Sequence, residues 1–283
     1  MQNLVNDKIK NKFVTFLSPA KINLGLKILG KRADGYHILK TIFCLIDLFD
    51  EISIQVLNHN KISLVEHQQI WPYHKDLAYL AATTLQDICQ CPMGANIKLK
   101  KTIPSGSGLG GGSSNAATVL IALNQLWQLN LSQDELISIG KKLGADIPFF
   151  IYGKNALATG IGEELTPISL PKLFFVLIIP KFHLATRDVF LNLNYENLKL
   201  NQNKLNQNNE SEKGGDDNKG SDDDNNYDNK DNDDEYNKKY DLDFLLNIRE
   251  NDLFIPASTI KPQIITIFDD LKSFGNPAMT GSG

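Results

Sequence analysis

The chain carries at residues 104–115 the stretch Pro104-Ser105-Gly106-Ser107-Gly108-Leu109-Gly110-Gly111-Gly112-Ser113-Ser114-Asn115, and an Ala- and Leu-rich run follows it to Trp127. Glycine has no Cβ and adopts positive φ readily, so this backbone can approach a ligand closely. The apolar run predicts a helix, with Ser113 and Ser114 available as N-cap side chains. A glycine loop that leads into a helix directs unpaired N–H groups and the positive end of the helix dipole at one point. The stretch therefore predicts a phosphate site.

The residues around this loop exclude three other glycine-rich phosphate motifs. A P-loop needs a lysine near its end, and this loop contains none. The spacing Gly106-x-Gly108-x-x-Gly111 matches the dinucleotide fingerprint, but that motif belongs to a βαβ unit. Here a second helix start follows the first helix, because Ser132 and Glu135 have the spacing of a capping box. The protein-kinase glycine loop lies between two strands, whereas this loop opens a helix.

The overall composition is typical of a soluble globular protein, with 42% hydrophobic and 22% charged residues in a chain of 283. No apolar run approaches the roughly 18 residues that span a membrane. The polar residues 1–12 lack the apolar core of a secretory signal. The three cysteines (Cys44, Cys89 and Cys91) are odd in number and not spaced as zinc ligands. We therefore expect a cytoplasmic protein with no membrane partner and no metal site built from protein side chains.

Residues 201–240 differ sharply from the rest of the chain, since Asn, Asp, Lys, Gly and Ser dominate them. Such a segment cannot bury enough apolar surface to offset the entropy lost on ordering, so we predict that it is disordered. Its twelve acidic and six basic residues give a net charge of −6, which leaves +2 for the remainder of a chain whose total is −4. That remainder has no basic stripe, and we expect no nucleic-acid partner.

Two segments near the N-terminus place polar side chains where they suit a binding site. Residues 13–17 predict a strand that Pro19 ends, and residues 20–28 predict a second strand. Lys21 and Asn23 begin that second strand on its solvent-facing side, which suits the edge of a site. Tyr36 and His37 follow in a turn. This pair suits stacking on a base and hydrogen bonding to its edge, although surface placement is the alternative.

Asp146 is an isolated acidic residue among apolar neighbours, between Gly144 and Pro148. A buried carboxylate is costly unless it is paired with a cation or used in chemistry. The alternative is an aspartate that begins a helix or turn. Farther on, residues 173–179 predict a continuous apolar strand, and residues 256–271 predict mostly helix.

Taken together, four segments resemble the 4-diphosphocytidyl-2-C-methyl-D-erythritol kinase family of the galactokinase, homoserine kinase, mevalonate kinase and phosphomevalonate kinase (GHMP) superfamily. The glycine loop alone identifies the superfamily, and the other segments identify the member. The resemblance extends over residues 13–190 and from 241 to the end. The four segments are Ser18-Pro19-Ala20-Lys21-Ile22-Asn23-Leu24, Arg32-Ala33-Asp34-Gly35-Tyr36-His37, residues 104–118, and Gly144-Ala145-Asp146-Ile147-Pro148-Phe149-Phe150.

This resemblance implies ATP-dependent phosphorylation of the 2-hydroxyl of 4-diphosphocytidyl-2-C-methyl-D-erythritol, in the non-mevalonate route to isoprenoids. It implies that residues 104–114 hold the ATP phosphates, with Mg²⁺ bridging them. It also implies that Asp146 accepts the proton of the substrate hydroxyl, and that Lys21 keeps this aspartate ionised. Since phosphoryl transfer depends mainly on positioning and electrostatics, one base, one cation and a backbone cradle can suffice.

The same resemblance implies roles in substrate binding for four further residues. Tyr36 would stack on cytosine, and His37 would hydrogen-bond to its edge. Asn23 would contact the substrate, and Phe190 would cover the other side of the base.

The implied fold is α+β in two domains. Residues 1–163 would form an ATP-binding domain like the second domain of ribosomal protein S5. Residues 164–283 would form a ferredoxin-like domain that contains the disordered insertion. Family members continue past Thr280-Gly281-Ser282-Gly283 with a strand, a helix and a strand, so we expect this domain to be incomplete. We expect a monomer or a weak homodimer.

Two alternatives remain open from the sequence. One is a GHMP kinase that acts on another small alcohol, such as mevalonate or homoserine, although the turn at residues 34–37 argues against it. The other is a catalytically impaired nucleotide-binding remnant, which an incomplete C-terminal domain would favour.

Overall fold

Two long antiparallel strands form the centre of the molecule, in a computed structural model that describes residues 12–66, 72–194 and 250–282. They are β1 (Val14–Lys31) and β2 (His37–Leu57). The expectation of two short strands separated by Pro19 is therefore wrong. The pairing of β1 with β2 instead shifts register between Pro19 and Ala20. Since proline cannot donate to the ladder, such an irregularity accommodates it without ending the strand.

The sheet has six strands in the described part of the chain. β1 pairs with one edge of β2, while β4 and β5 pair with different stretches of the opposite edge. β3 runs parallel to β4, and β6 is antiparallel to β5. The four shorter strands are β3 (Ile62–Leu64), β4 (Gly94–Lys100), β5 (Ala156–Thr159) and β6 (Glu164–Pro167).

Four helices pack on this sheet: α1 (Leu77–Cys89), α2 (Gly111–Leu126), α3 (Gln133–Leu143) and α4 (Ile147–Tyr152). They bury apolar residues against β2 and β4 in one large core, whose fully buried members include Ile54, Leu85 and Leu120. The predicted capping box at the start of α3 is confirmed, since the side chains of Ser132 and Glu135 each accept the other residue's backbone N–H.

A second, smaller core lies beside the C-terminal half of β1. It contains Leu26 and Ile28 together with residues of three further helices. These are α5 (Thr186–Leu191), α6 (Phe254–Ile260) and α7 (Gln263–Lys272). The prediction that residues 256–271 are mostly helical is confirmed, with a break at Pro262 between α6 and α7.

The predicted strand at residues 173–179 is wrong, because this segment has no regular secondary structure. Phe174 and Val176 are 85% and 90% exposed. A β-prone sequence becomes a strand only when a neighbouring strand completes its hydrogen bonds, and no described residue pairs with this segment.

Two sequence predictions stay untested. The predicted disordered segment at residues 201–240 lies outside the described residues, and the domain boundary between residues 163 and 164 remains a prediction. Among the helices of the described ranges, none has the length and apolar character needed to cross a membrane.

Candidate active site

The glycine loop turns through three residues in the left-handed region. Gly106, Gly108 and Gly110 have φ of 73°, 74° and 72°. A Cβ placed on Gly110 would lie only 2.7 Å from Cζ of Phe150 and 3.2 Å from Cγ of Lys21. The loop therefore needs glycine at this position for its conformation and also for its contact with the Lys21 side chain.

Helix α2 begins earlier than the sequence indicates. Gly110 is its N-cap residue and Gly111 its first residue, and no side chain caps it, so the prediction that Ser113 or Ser114 serves as the cap is wrong. Gly110, in the left-handed region, turns the chain so that the helix begins at Gly111, and both serines therefore lie within its first turn. Ser114 is buried and accepts a 2.8 Å hydrogen bond from the hydroxyl of Ser18 on β1. That bond joins the start of the helix to the central strand.

The chain entering the loop is fixed by Asp50, whose carboxylate is fully buried. Its Oδ1 accepts hydrogen bonds from the backbone N–H groups of Thr102 and Ile103 at 2.7 and 2.8 Å. Its Oδ2 forms an ion pair with Nζ of Lys101. The sequence gives no sign of this role, because residues 101–103, which Asp50 contacts, lie about 50 residues away in the chain.

Asp50→Ala is expected to lower the free energy of unfolding by about 3–5 kcal/mol. It removes the partner of the Lys101 ammonium and the acceptor of the backbone N–H groups of Thr102 and Ile103. Urea unfolding followed by circular dichroism measures the loss. Glu51→Ala is the matched control: Glu51 is 41% exposed and pairs with the neighbouring Lys100, so its loss should cost less than about 1 kcal/mol. Equal losses for the two variants would contradict a structural role for the buried carboxylate.

Lys21 and Asp146 form the charged centre of the site. Nζ of Lys21 lies 3.7 Å from Oδ2 of Asp146 and donates a 2.6 Å hydrogen bond to Oδ1 of Asn23. It also lies 4.8 Å from the centroid of the Phe43 ring. Lys21 is only 5% exposed, whereas the Asp146 side chain is 38% exposed. The ammonium group is thus held in place, and the carboxylate remains accessible.

The structure corrects the predicted positions of Lys21 and Asn23, and it decides between the two interpretations of Asp146. Lys21 and Asn23 were expected at the start of a strand on its solvent-facing side, but both are buried in the middle of β1. Asp146 is the N-cap residue of α4, as the alternative interpretation required, but its side chain makes no capping hydrogen bond. It instead faces Lys21.

A bulge at Gly25 changes which side of β1 faces the site. Gly25 has φ of 71°, and the register with β2 shifts between Leu24 and Leu26. Thr41 of β2 stabilises the bulge: its hydroxyl donates to the carbonyl of Gly25 at 2.5 Å and accepts from Nδ2 of Asn23 at 3.0 Å. Asn23 before the bulge and Leu26 after it therefore line the same cleft.

A cleft of about 640 Å³ brings the predicted residues together. Its lining includes Lys21, Asn23, Tyr36, His37, Gly108, Ser113, Asp146 and Phe190. The ring centroids of His37 and Phe190 lie 4.8 Å apart, with an angle of 33° between the ring planes. These two rings form one side of a slot, which we call the aromatic slot. Burial, and secondarily the charge of Lys31, lower the pKa of His37, which favours its neutral form. Tyr36 is 60% exposed at the mouth of the cleft.

A second glycine turn, at Thr280 and Gly281, closes on the first. Oγ1 of Thr280 accepts a 2.7 Å hydrogen bond from the backbone N–H of Asn23. Gly281 has φ of 61°, and a Cβ placed on it would lie 3.6 Å from the carbonyl oxygen of Gly108. The sequence gives no sign of this contact, because the two glycine turns lie far apart in the chain.

Asn251 holds this second turn in place, and the sequence analysis missed it. Nδ2 of Asn251 donates to the carbonyls of Met279 and Gly281 at 3.0 and 2.7 Å. Asn251 also forms a β-bridge with Leu26. No local pattern marks such a residue, because its partners, Leu26 and the turn at Met279 and Gly281, come from two other parts of the chain.

Comparisons with known proteins identify relatives of this chain. The family model for the GHMP kinases N terminal domain matches residues 76–154, which include the glycine loop and Asp146. A 4-diphosphocytidyl-2-C-methyl-D-erythritol kinase of Neisseria meningitidis serogroup A is 49% identical over 175 residues, and this match covers 62% of each chain. The chain thus spans less than two thirds of that relative. A protein of the same name from Chromobacterium violaceum is 37% identical over 277 residues, covering 97% of this chain and 85% of the relative.

Similarity also extends to solved structures. A crystal structure of 4-(cytidine 5'-diphospho)-2C-methyl-D-erythritol kinase matches with a TM-score of 0.69 at 28% identity, covering 95% of this chain and 87% of that one. Homoserine kinase from Cytophaga hutchinsonii, with a TM-score of 0.58 at 13% identity, shares the fold alone. These matches confirm the predicted α+β GHMP kinase fold. With a relative aligned over nearly its whole length, the chain belongs to the 4-diphosphocytidyl-2-C-methyl-D-erythritol kinase family of the GHMP kinases.

Proposed function

We propose that this protein transfers the γ-phosphoryl group of ATP to the 2-hydroxyl of 4-diphosphocytidyl-2-C-methyl-D-erythritol, in the non-mevalonate route to isoprenoid precursors. One observation carries the proposal: a single cleft is lined by Gly108 and Ser113 of the glycine loop, by the Lys21–Asp146 pair and by the His37–Phe190 pair. The phosphates of ATP would meet the glycine loop, the reacting hydroxyl would meet Asp146, and the cytosine ring would meet the aromatic slot. The names of the relatives supply the identity of the alcohol.

The glycine loop is the proposed site of the ATP phosphates. Its left-handed glycines, and the uncapped start of α2, leave backbone N–H groups free to meet an anion. Mg²⁺ would enter with ATP and offset charge on the transferring phosphoryl group. Oxygen ligands are the type that Mg²⁺ prefers, and Ser113 offers a hydroxyl oxygen in the cleft.

Asp146 is the proposed acceptor of the hydroxyl proton, since its carboxylate is accessible and makes no capping hydrogen bond. Lys21 supplies a positive charge 3.7 Å away, which stabilises the charged carboxylate and the negative charge of the phosphoryl group in transfer. The hydrogen bond from Lys21 to Asn23 and the contact with Phe43 fix that charge before substrate binds.

His37 and Phe190 are the proposed contacts of the cytosine base, with Tyr36 covering its other side. A neutral imidazole has one donor and one acceptor nitrogen, so it can hydrogen-bond to a base edge that presents both. The flat ring of the base would stack on Phe190. Because stacking tolerates any base, the specificity for cytosine would come from the hydrogen bonds of His37.

The direct test is a kinase assay on the full chain with ATP, Mg²⁺ and 4-diphosphocytidyl-2-C-methyl-D-erythritol, with mevalonate and homoserine as competing alcohols. We expect ADP release with the cytidylated substrate and little with the other two. Preference for a plain alcohol would favour another GHMP kinase activity. ATP binding without turnover on any of the three would favour the nucleotide-binding remnant.

Tyr36→Ala is expected to raise the KM for the cytidylated substrate by roughly five- to 150-fold, because one base–aromatic stack contributes about 1–3 kcal/mol. The KM for ATP should stay within about twofold. Steady-state kinetics with each substrate varied in turn measures both constants. Phe174→Ala is the control, since Phe174 is exposed and lies outside the cleft lining. A selective rise in the KM for ATP would reverse the assignment of the two pockets.

A further inference from the structure

Two cationic side chains of the cleft have no role in the mechanism above. They are Lys31, at the end of β1, and Arg187, in the first turn of α5. We propose that Lys31 and Arg187, which line the same cleft as the His37–Phe190 pair, together bind the diphosphate group of the nucleotide-linked substrate. This proposal rests on the proposed function, because it assumes that the base occupies the aromatic slot.

Lys31 lies beside the aromatic slot. It is the register partner of His37 across the β1–β2 pair, so the two residues face each other at the end of the hairpin. The positive charge of Lys31 is also the second cause, after burial, of the lowered pKa of His37, which indicates that its ammonium lies near the imidazole. A phosphate attached to a nucleoside in the slot would therefore meet this charge.

Arg187 approaches the same region from the other side. It precedes Phe190 by three residues on α5, a spacing that places the two on one side of the helix. The adjacent Thr186 hydrogen-bonds through its hydroxyl to that of Ser282 at 2.8 Å, and this serine follows the turn that closes on the glycine loop. Arg187 thus lies in the cleft lining on the same short helix as Phe190, next to a residue that contacts the second glycine turn.

The charges of the cleft favour an anionic ligand at this position. Lys21 is paired with Asp146, and Lys27 on the same strand is paired with Glu250 and Asp252. Within residues 12–66, 72–194 and 250–282, by contrast, Lys31 and Arg187 form no ion pair. A guanidinium group binds phosphate oxygens in a bidentate manner, and an ammonium adds a point charge.

A nucleoside-diphosphate-linked alcohol carries its two phosphates next to the nucleoside. The cleft places both cations in the same lining as the His37–Phe190 pair that is to hold the base. The two cations would thus select for the diphosphate.

The test is calorimetric titration of the full chain with cytidine and with CDP, with the ATP analogue AMPPNP at saturation so that the glycine loop is filled. We expect CDP to bind at least about tenfold more tightly than cytidine, since hydrogen bonds to charged groups are the strong ones. Lys31→Gln and Arg187→Gln should each weaken CDP binding by roughly five- to thirtyfold while leaving cytidine binding unchanged. Lys40→Gln removes the same charge from an exposed residue outside the cleft lining and should change neither constant.

Thermal melting of each variant confirms that the fold is kept. Equal affinities of the unmodified chain for CDP and cytidine would overturn the proposal, as would variants that weaken both ligands alike or neither. Undetectable CDP binding would overturn it too. If cytidine fails to bind while CDP still binds through Lys31 and Arg187, the cation site stands, and the base slot of the proposed function is the part that fails.

Discussion

Asp146→Asn is expected to lower kcat by about 10²- to 10⁴-fold, the usual contribution of a general base, while the Kd for ATP changes by less than about threefold. Asparagine keeps the size of the side chain but cannot accept the hydroxyl proton or balance the charge of Lys21. The ATP phosphates lie at the glycine loop in our proposal, so their binding should not need this carboxylate.

Single-turnover and steady-state kinetics with the cytidylated substrate measure the loss, and calorimetry with AMPPNP measures nucleotide affinity. The control is Asp134→Asn, which removes the same charge from the exposed first turn of α3, away from the cleft. Near-normal turnover of Asp146→Asn would mean that Asp146 serves only to begin α4 and that another group accepts the proton.

Local patterns predicted well those features of this chain that depend on local interactions. The capping box at Ser132 depends on residues three apart, and the glycine loop depends on consecutive residues, so the sequence contains the whole signal for each. Asp146 was singled out because a lone carboxylate among apolar residues is costly if it is buried. The structure leaves its side chain 38% exposed, so the expected burial is wrong, although the expected cation partner, Lys21, is present.

The errors concern features that depend on distant partners. Simple alternation placed Lys21 on a solvent-facing side, but α2 and the glycine loop cover that side of β1. The bulge at Gly25, which turns Leu26 toward the cleft, needs Thr41 of the opposite strand. Asn251 and Thr280 act through backbone groups far away in the sequence. Spacing along one chain cannot reveal such pairs, because the contact exists only after folding.

Gly110→Val is expected to raise the KM for ATP at least about tenfold and to lower kcat as well. The position has φ of 72°, where an L-residue costs about 1–2 kcal/mol. The new Cβ would also lie 2.7 Å from the Phe150 ring and 3.2 Å from Lys21, so both must move. Displacing the loop costs phosphate binding, and displacing Lys21 removes charge stabilisation beside Asp146.

The double effect on KM and kcat distinguishes this substitution from one that only loosens the fold. Gly275→Val is the matched control, because a Cβ on Gly275 meets nothing within 4 Å. Steady-state kinetics and thermal melting of both variants are the measurements. Because the added Cβ would lie 3.2 Å from Cγ of Lys21, a changed KM for ATP with kcat intact would mean that the loop moves without displacing Lys21. An unchanged KM for ATP would mean that the phosphates bind elsewhere, and the assignment of the glycine loop would be wrong.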